Sequence, residues 1–279
     1  MSPSLLPSMD RERMFALERV EILAKIDGHA GTPNARELGL VQERIRGAWA
    51  LGRTRDTTLH FNRVMGFGLE QPVTPEDLVV LKAFYTRHEI PTFRLALSPL
   101  AEPQGFGAAL AAAGFGTYTH LVKWARDASP AKTAATTLRI ERAVPSDARA
   151  MDEVLLPAFD GRPHSIPYTS DLVDRPHWHH YVARDGGMVV AAAAMYVREG
   201  LAWLGAAGTR ASHRGRGAQS ALIARRIEDA RALGCNAVTT ETAHDSPEKS
   251  NPSYRNMERA GFQIIFRRPS WVFPNPGSA

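Results

Sequence analysis

A phrase written twice constrains this chain more than any other feature. Ala113-Gly114-Phe115 is followed nine residues after the phenylalanine by Trp124, and Ala260-Gly261-Phe262 is followed at the same spacing by Trp271, so all four positions recur 147 residues on. In both places a helix-like run leads into the glycine and a strand-like run (Thr117–Trp124, Gln263–Trp271) leaves it. A further strand lies upstream in each copy (Thr92–Leu97, Ala237–Thr242). Shared element order at one offset reads as an internal duplication. A period of this size holds a whole domain, which predicts two similar domains rather than a solenoid, and 279 residues accommodate two. Between the copies, Asp127-Ala-Ser-Pro-Ala-Lys-Thr-Ala-Ala-Thr-Thr137 is small, polar and aperiodic. Such a stretch buries nothing and reads as a linker, placing the domains at 1–130 and 138–279.

The second copy is the more legible. Leu138–Arg142 alternates like a strand, and Pro145-Ser146-Asp147 opens a helix to about Leu156. After a turn-rich loop to about Pro176 come three strands, Tyr181–Arg184, Met188–Val197 and Leu201–Ala207, joined by the tight turns Asp185-Gly186-Gly187 and Arg198-Glu199-Gly200. Helix Ala218–Leu233 ends at Gly234; strand Ala237–Thr242, helix Ser253–Ala260 and a final strand complete the copy. This order predicts an α+β fold: a mixed, mostly antiparallel sheet with helices on both faces. In the first copy a long helix, Met9–Ile26, is followed by strand Thr58–Met65 and a helix opened by Thr74-Pro75-Glu76-Asp77, while residues 27–57 yield no assignment.

Composition removes several function classes. The net charge of +5 is spread along the chain and gives no basic patch for nucleic acid. The longest apolar run, Met188–Val197, is half of what a membrane span needs. Two leucines trapped between prolines near the N-terminus do not make a signal peptide. One cysteine, Cys235, excludes internal disulfides and a cysteine-rich zinc site. The expectation is a soluble cytoplasmic protein without a membrane partner. In His177-Trp-His-His180 the adjacent histidines of a strand face opposite sides, so no metal is expected there.

The most informative stretch is His213-Arg214-Gly215-Arg216-Gly217-Ala218-Gln219-Ser220, set between a strand and an amphipathic helix. Glycines there let successive N–H groups point into one concavity at the positive end of a helix, an arrangement that binds a diphosphate. No Gly-Lys-Ser/Thr follows, so it is not a Walker loop, and the preceding strand belongs to a hairpin meander rather than a βαβ unit. Arg214-Gly-Arg-Gly217-Ala-Gln219 resembles Arg-x-x-Gly-x-(Gly/Ala), the acyl-CoA signature of the GNAT superfamily of N-acetyltransferases, with Gln219 a departure at the last small position. The element order of residues 138–273 resembles that fold as well. The first copy looks like a degenerate GNAT domain: at the same offset Arg214–Ser220 corresponds to Phe67-Gly-Leu-Glu-Gln-Pro-Val73, where Glu70 adds a negative charge and Pro72 removes an amide.

The resemblance implies an acetyl-CoA-dependent transfer of an acetyl group to a primary amine, small-molecule or peptide, in a ternary complex and without metal. It implies CoA contacts from Ala207, Gly208, Thr209, Arg214, Gly215, Arg216, Gly217, Ala218, Gln219, Ser220, Asn251 and Asn256. Many family members protonate the leaving thiolate with a tyrosine at the position of Met257. Tyr254, one turn earlier, and Ser253 are the available hydroxyls, and Glu241 is the carboxylate of the lining strands that could act as base. Phe159, His164, Tyr168, Trp178 and the histidine tract are expected to shape the acceptor pocket. The alternative is a non-catalytic acyl-CoA-binding or interaction protein with a decayed active site. The first copy, with no phosphate loop, is expected to act as a scaffold and specificity wall.

Overall fold

The computed structural model describes residues 9–32, 35–55, 59, 61–132, 135–159, 171–246 and 250–274. The repeated phrase has a physical basis in two helix ends. Gly114 and Gly261 both take left-handed φ, +85° and +79°, a conformation that glycine adopts without steric cost. Three main-chain bonds recur at the same offset. Ala113 N–H donates to Ala109 O and Ala260 N–H to Asn256 O; Gly114 and Gly261 donate to Ala111 O and Glu258 O; Phe115 and Phe262 donate to Leu110 O and Met257 O. The two helices, α4 (Gly107–Ala112) and α7 (Pro252–Arg259), thus stop identically and feed β5 (Gly116–Asp127) and β11 (Gln263–Phe273).

Contacts divide the chain into two units, one of Met1–Met9 and Trp124–Ile265, the other of Asp10–Lys123 and Phe266–Ala279. Strands β5 and β11 each begin in one unit and end in the other. The N-terminal unit holds α1 (Arg11–Ala30), α2 (Ala35–Leu38), β1 (Leu40–Ile45), β2 (Ala48–Arg53), β3 (Arg63–Met65), α3 (Pro75–Arg87), β4 (Phe93–Ala96) and α4. Strands β1 and β2 form a hairpin closed by Arg46 and Gly47, both at positive φ, a turn whose twist suits two antiparallel strands. The end of β11 pairs antiparallel with β4, from Ser270↔Ala96 to Phe273↔Phe93. Leu78, Leu81, Phe84, Phe93, Leu95, Phe106 and Leu110 form its core, with Trp271 and Phe273 packed against it. The predicted strand Thr58–Met65 is cut to β3: residues 56–58 and 60 lie outside the described residues, and the Asn62 carboxamide accepts the Arg53 N–H at 2.7 Å, a side chain standing in for a ladder bond.

The C-terminal unit follows the predicted order: β6 (Arg139–Arg142), α5 (Ala148–Leu155), β7 (Trp178–Asp185), β8 (Met188–Arg198), β9 (Leu201–Thr209), α6 (Ala218–Ala232), β10 (Ala237–Ala243) and α7. Strands β6 to β9 pair antiparallel in sequence order, and β10 joins β9 in parallel. Both hairpin turns are where they were predicted, with Asp185↔Met188 and Arg198↔Leu201 as closing pairs. Cross-strand neighbours share a face and successive residues alternate. Val182, Ala192 and Gly208 face α5, where a Cβ on Gly208 would meet Ala158 Cβ at 3.0 Å and Val154 O at 3.1 Å. Tyr181, Ala193 and Ala207 face the other way, where the Tyr181 hydroxyl donates to Asp229 of α6 at 2.8 Å. Helices therefore cover both faces, and the apolar run of β8 is buried from Val189 to Tyr196.

Strand β7 starts at Trp178, three residues earlier than the alternation suggested, because Trp178 and His180 pair with Tyr196 and Ala194. The expected linker is also more engaged than its composition implies. Ala128 is buried, Arg126 Nη2 donates to Ser129 O at 2.7 Å, and the Thr136 hydroxyl donates to Arg216 O at 2.7 Å. No helix among the described residues is long and apolar enough to cross a membrane.

Candidate active site

The loop between β9 and α6 turns on two glycines. Gly215 and Gly217 take φ of +77° and +81°, and Gly217 caps α6 with no side-chain hydrogen bond and no acidic residue in the first turn. The first N–H groups of a helix have no intrahelical partner, so those of α6 open at the positive end of its dipole. Arg216 is turned away from this opening: its guanidinium pairs with Asp185 at 2.6 Å, and the same carboxylate receives His213 Nε2 at 3.3 Å. The hydrogen bond from Arg216 holds the Asp185 carboxyl below its ordinary range. Among the described residues Arg214 has no carboxylate partner.

A cleft of about 1030 Å³ opens beside this loop. It brings together most of the residues singled out from the sequence: Ala207, Gly208 and Thr209 from β9; Arg214, Gly215, Gly217, Ala218, Gln219 and Ser220 from the loop and α6; Ser253 and Asn256 from α7. Lys132, Pro157, Ala158, His213, Pro252 and Arg259 also line it. The described wall thus carries Lys132, Arg214 and Arg259 and no carboxylate. Arg259 was legible in principle, lying one turn beyond Asn256, whose side chain accepts from it at 2.7 Å. Nothing local marked Lys132, placed in the expected linker.

Four singled-out residues sit elsewhere. Arg216 is on Asp185. Asn251 caps α7, accepting from Ser253 N at 3.0 Å and donating to Ala243 O at 2.6 Å. Glu241 is half-buried on β10, outside the cleft lining. Tyr254 is buried, its ring edge-on to Trp124 at 4.7 Å and to His244 at 5.9 Å. Helix α7 therefore turns Ser253, Asn256 and Arg259 to the cleft, while Tyr254 and Met257 face inward. Met257 is buried, as is its repeat partner Leu110, so this position fills a core in both copies. Gln219, the departure from the signature, is tied to β9: its amide donates to Gly208 O at 3.0 Å and to Thr209 Oγ1 at 2.9 Å.

On the α5 face, Trp178 stacks near-parallel on His180 with centroids 5.9 Å apart, and Tyr196 and Trp203 pack edge-on against Trp178. Burial pushes the His180 imidazole down to about 3. His179 turns outward to Arg142 at 2.7 Å, and His177 bonds Arg198 at 2.6 Å. No three metal-ligating side chains converge among the described residues. His164 and Tyr168 lie outside those residues, as does the side chain of Phe159. Cys235 is buried, which raises its thiol.

Residues 148–262 match the model of the family described as Acetyltransferase (GNAT) family. Solved structures extend the likeness along the chain. A GCN5-related N-acetyltransferase from Kribbella flavida aligns at 15% identity over 93% of this chain and 95% of its own, with a TM-score of 0.63. One from Sphaerobacter thermophilus aligns at 17% identity over 91% of each, with a TM-score of 0.59. A tandem GNAT protein from the clavulanic acid biosynthesis pathway aligns at 13% identity over 96% of each, with a TM-score of 0.58. The chain has the tandem GNAT fold. No curated protein matches its sequence.

Proposed function

We propose that the chain is an N-acetyltransferase that takes acetyl-CoA, one per chain, and passes the acetyl group directly to a primary amine. The observation that carries this reading is the cationic cleft, with no carboxylate among its described lining residues, at a helix start that no side chain caps. Main-chain N–H groups around Gly215 and Gly217 with Arg214 suit a diphosphate, and Lys132 and Arg259 add positive charge for a further phosphate. An acyl-CoA supplies its acyl group activated as a thioester. The small residues Ala206–Thr209 let main-chain groups approach that carbonyl closely and polarise it.

Transfer forms a bond from the amine nitrogen to the carbonyl carbon and breaks the carbon–sulfur bond; the amine loses a proton and the thiolate gains one. Ser253 is the side-chain hydroxyl of α7 that lines the cleft, and we assign it the hydrogen bond to the leaving sulfur. Tyr254 would need its ring to leave Trp124 to take that role. With no carboxylate among the described residues of the cleft wall, the amine enters as its free base or gives its proton to water. That same lack favours the second reading, an acyl-CoA-binding protein without turnover.

Release of free thiol from acetyl-CoA across a panel of amines separates the two. Turnover in which Ser253→Ala lowers kcat by about tenfold or more, with little change in the acetyl-CoA KM, supports transfer. A larger fall in Tyr254→Phe than in Ser253→Ala would move the role to Tyr254. CoA binding with no thiol release from any amine supports the second reading.

A further inference from the structure

Strand β9 is held by side chains where sheets usually rely on main chain. Its parallel pairing with β10 runs through Leu201↔Ala237, Ala202↔Val238 and Trp203↔Thr239, yet β9 continues to Thr209 and β10 to Ala243. At the next position the Leu204 carbonyl accepts from the Thr240 hydroxyl at 2.9 Å, a buried bond. On its other side the register against β8 slips: Met195 pairs with Leu204 and Ala193 with Ala207, so Ala194 stands opposite both Gly205 and Ala206. This is a β-bulge, which bends its strand and takes groups out of the ladder. The Ala194 carbonyl accepts from Arg226 Nη1 at 2.9 Å, while Arg226 Nε donates to Leu222 O at 3.1 Å within α6.

Core filling does not account for Arg226. It is 2% exposed, and among the described residues no carboxylate pairs with it. Burying a guanidinium costs several kcal/mol, which an apolar side chain of similar size would avoid. What the charge secures is the carbonyl facing the bulge. A threonine oxygen inserted between two strands likewise keeps them further apart than a direct N–H to carbonyl bond would. Thr240 acts at Leu204, just past the last β9–β10 pair, and Arg226 at Ala194, opposite the bulge at Gly205 and Ala206.

We propose that Thr240 and Arg226 are positioning residues that keep the main-chain edge of Gly205–Thr209 open, so that the extended, amide-bearing arm of an acyl-CoA can lie along it. This rests on the reading that acyl-CoA occupies the cleft. Thr240 releases the edge from the β10 side, Arg226 fixes the bulge from beneath the sheet, and Gln219 ties the far end of the segment to α6.

Two probes separate positioning from general stability. CoA carries the arm; 3′-phospho-ADP has the same nucleoside and phosphates without it. In titration calorimetry on the full chain, Thr240→Val should weaken CoA about tenfold, the scale of one buried hydrogen bond, and leave 3′-phospho-ADP within about twofold. Thr240→Ser should restore CoA binding. Arg226→Met should show the same selective loss; if it does not fold, the Thr240 pair decides. Equal weakening of both probes, or an unchanged CoA affinity in Thr240→Val, overturns the proposal. Wild-type protein that binds neither probe overturns the acyl-CoA reading, and this inference with it.

Discussion

Helices α3 and α6 end alike and begin differently. Each closes on the same main-chain pattern, Ile90 N–H to Tyr85 O and Cys235 N–H to Ala230 O at 2.9 Å, after a residue at positive φ, Glu89 or Gly234. At its start α3 supplies its own anions. Thr74 N–H donates to Asp77 Oδ2 at 2.9 Å, Pro75 removes an amide, and Glu76 adds a second carboxylate. Arg46 pairs with Asp77 at 2.9 Å and Arg44 with Glu70. A hydrogen bond from Thr74 holds the Glu76 carboxyl below its ordinary range. At the start of α6 Gly217 replaces all of this, and the amides face a cationic cleft. One frame thus carries two outcomes: a helix dipole answered by the chain's own carboxylates, and one left open onto a cationic cleft.

The largest break in the likeness of the copies is expected at the paired tryptophans. Trp124 is 1% exposed and its indole donates to Thr242 at 2.9 Å, while the Thr239 hydroxyl donates to the Trp124 carbonyl. Trp271 is partly buried, and its indole N–H has no partner among the described residues. Trp124→Ala should destabilise its unit by about 3–5 kcal/mol and Trp271→Ala by clearly less, measured by chemical denaturation. Equal losses would mean that the copies still bear load alike.

Giving α6 the character of α3 comes next. Gly217→Glu places a carboxylate and a strained left-handed residue where the phosphates are expected, and should weaken CoA by about a hundredfold or more, roughly 3 kcal/mol, with the fold retained. Calorimetry on the wild type should return one CoA per chain; two would mean that the start of α3 also binds. The converse change, Asp77→Ala, should cost the N-terminal unit about 1 kcal/mol through the lost cap and leave CoA affinity unchanged.

The smallest effect concerns pH. Each unit keeps a histidine neutral by burial: His29, lowered to about 4, and His180, lowered to about 3. Their stability contribution is complete above the unfolded value near 6.5 and declines as pH falls toward the folded values, because only the unfolded chain takes up the proton. Melting temperature should therefore drop between pH 7 and pH 5. His180→Phe should shrink that drop, and an unchanged slope would remove His180 from the account.

Much of the C-terminal unit was legible because its turns are chemically explicit: Gly186-Gly187 and Glu199-Gly200 mark two hairpins, and Gly234 and Gly261 mark helix ends. The hairpin at Arg46-Gly47 used the same signal, but residues 27–57 lack a strong apolar alternation around it, with β1 largely exposed. The cleft was legible at the loop, where local spacing carries the information. The rotation of α7 was not, because Trp124, more than a hundred residues away, decides that Tyr254 faces inward. Nor could spacing show that Gln219 anchors β9, a contact set by how two elements dock.

The passage of β11 from one unit into the other bears on how the chain is made. Ala96 meets its partner Ser270 only after 174 further residues have been synthesised, which at about 5–20 residues per second is a wait on the order of ten to forty seconds. The half translated first is therefore finished last, with the edge of β4 unpaired meanwhile and in need of protection. A chain cut short just before Ser270 would leave the older half incomplete, not the newer one.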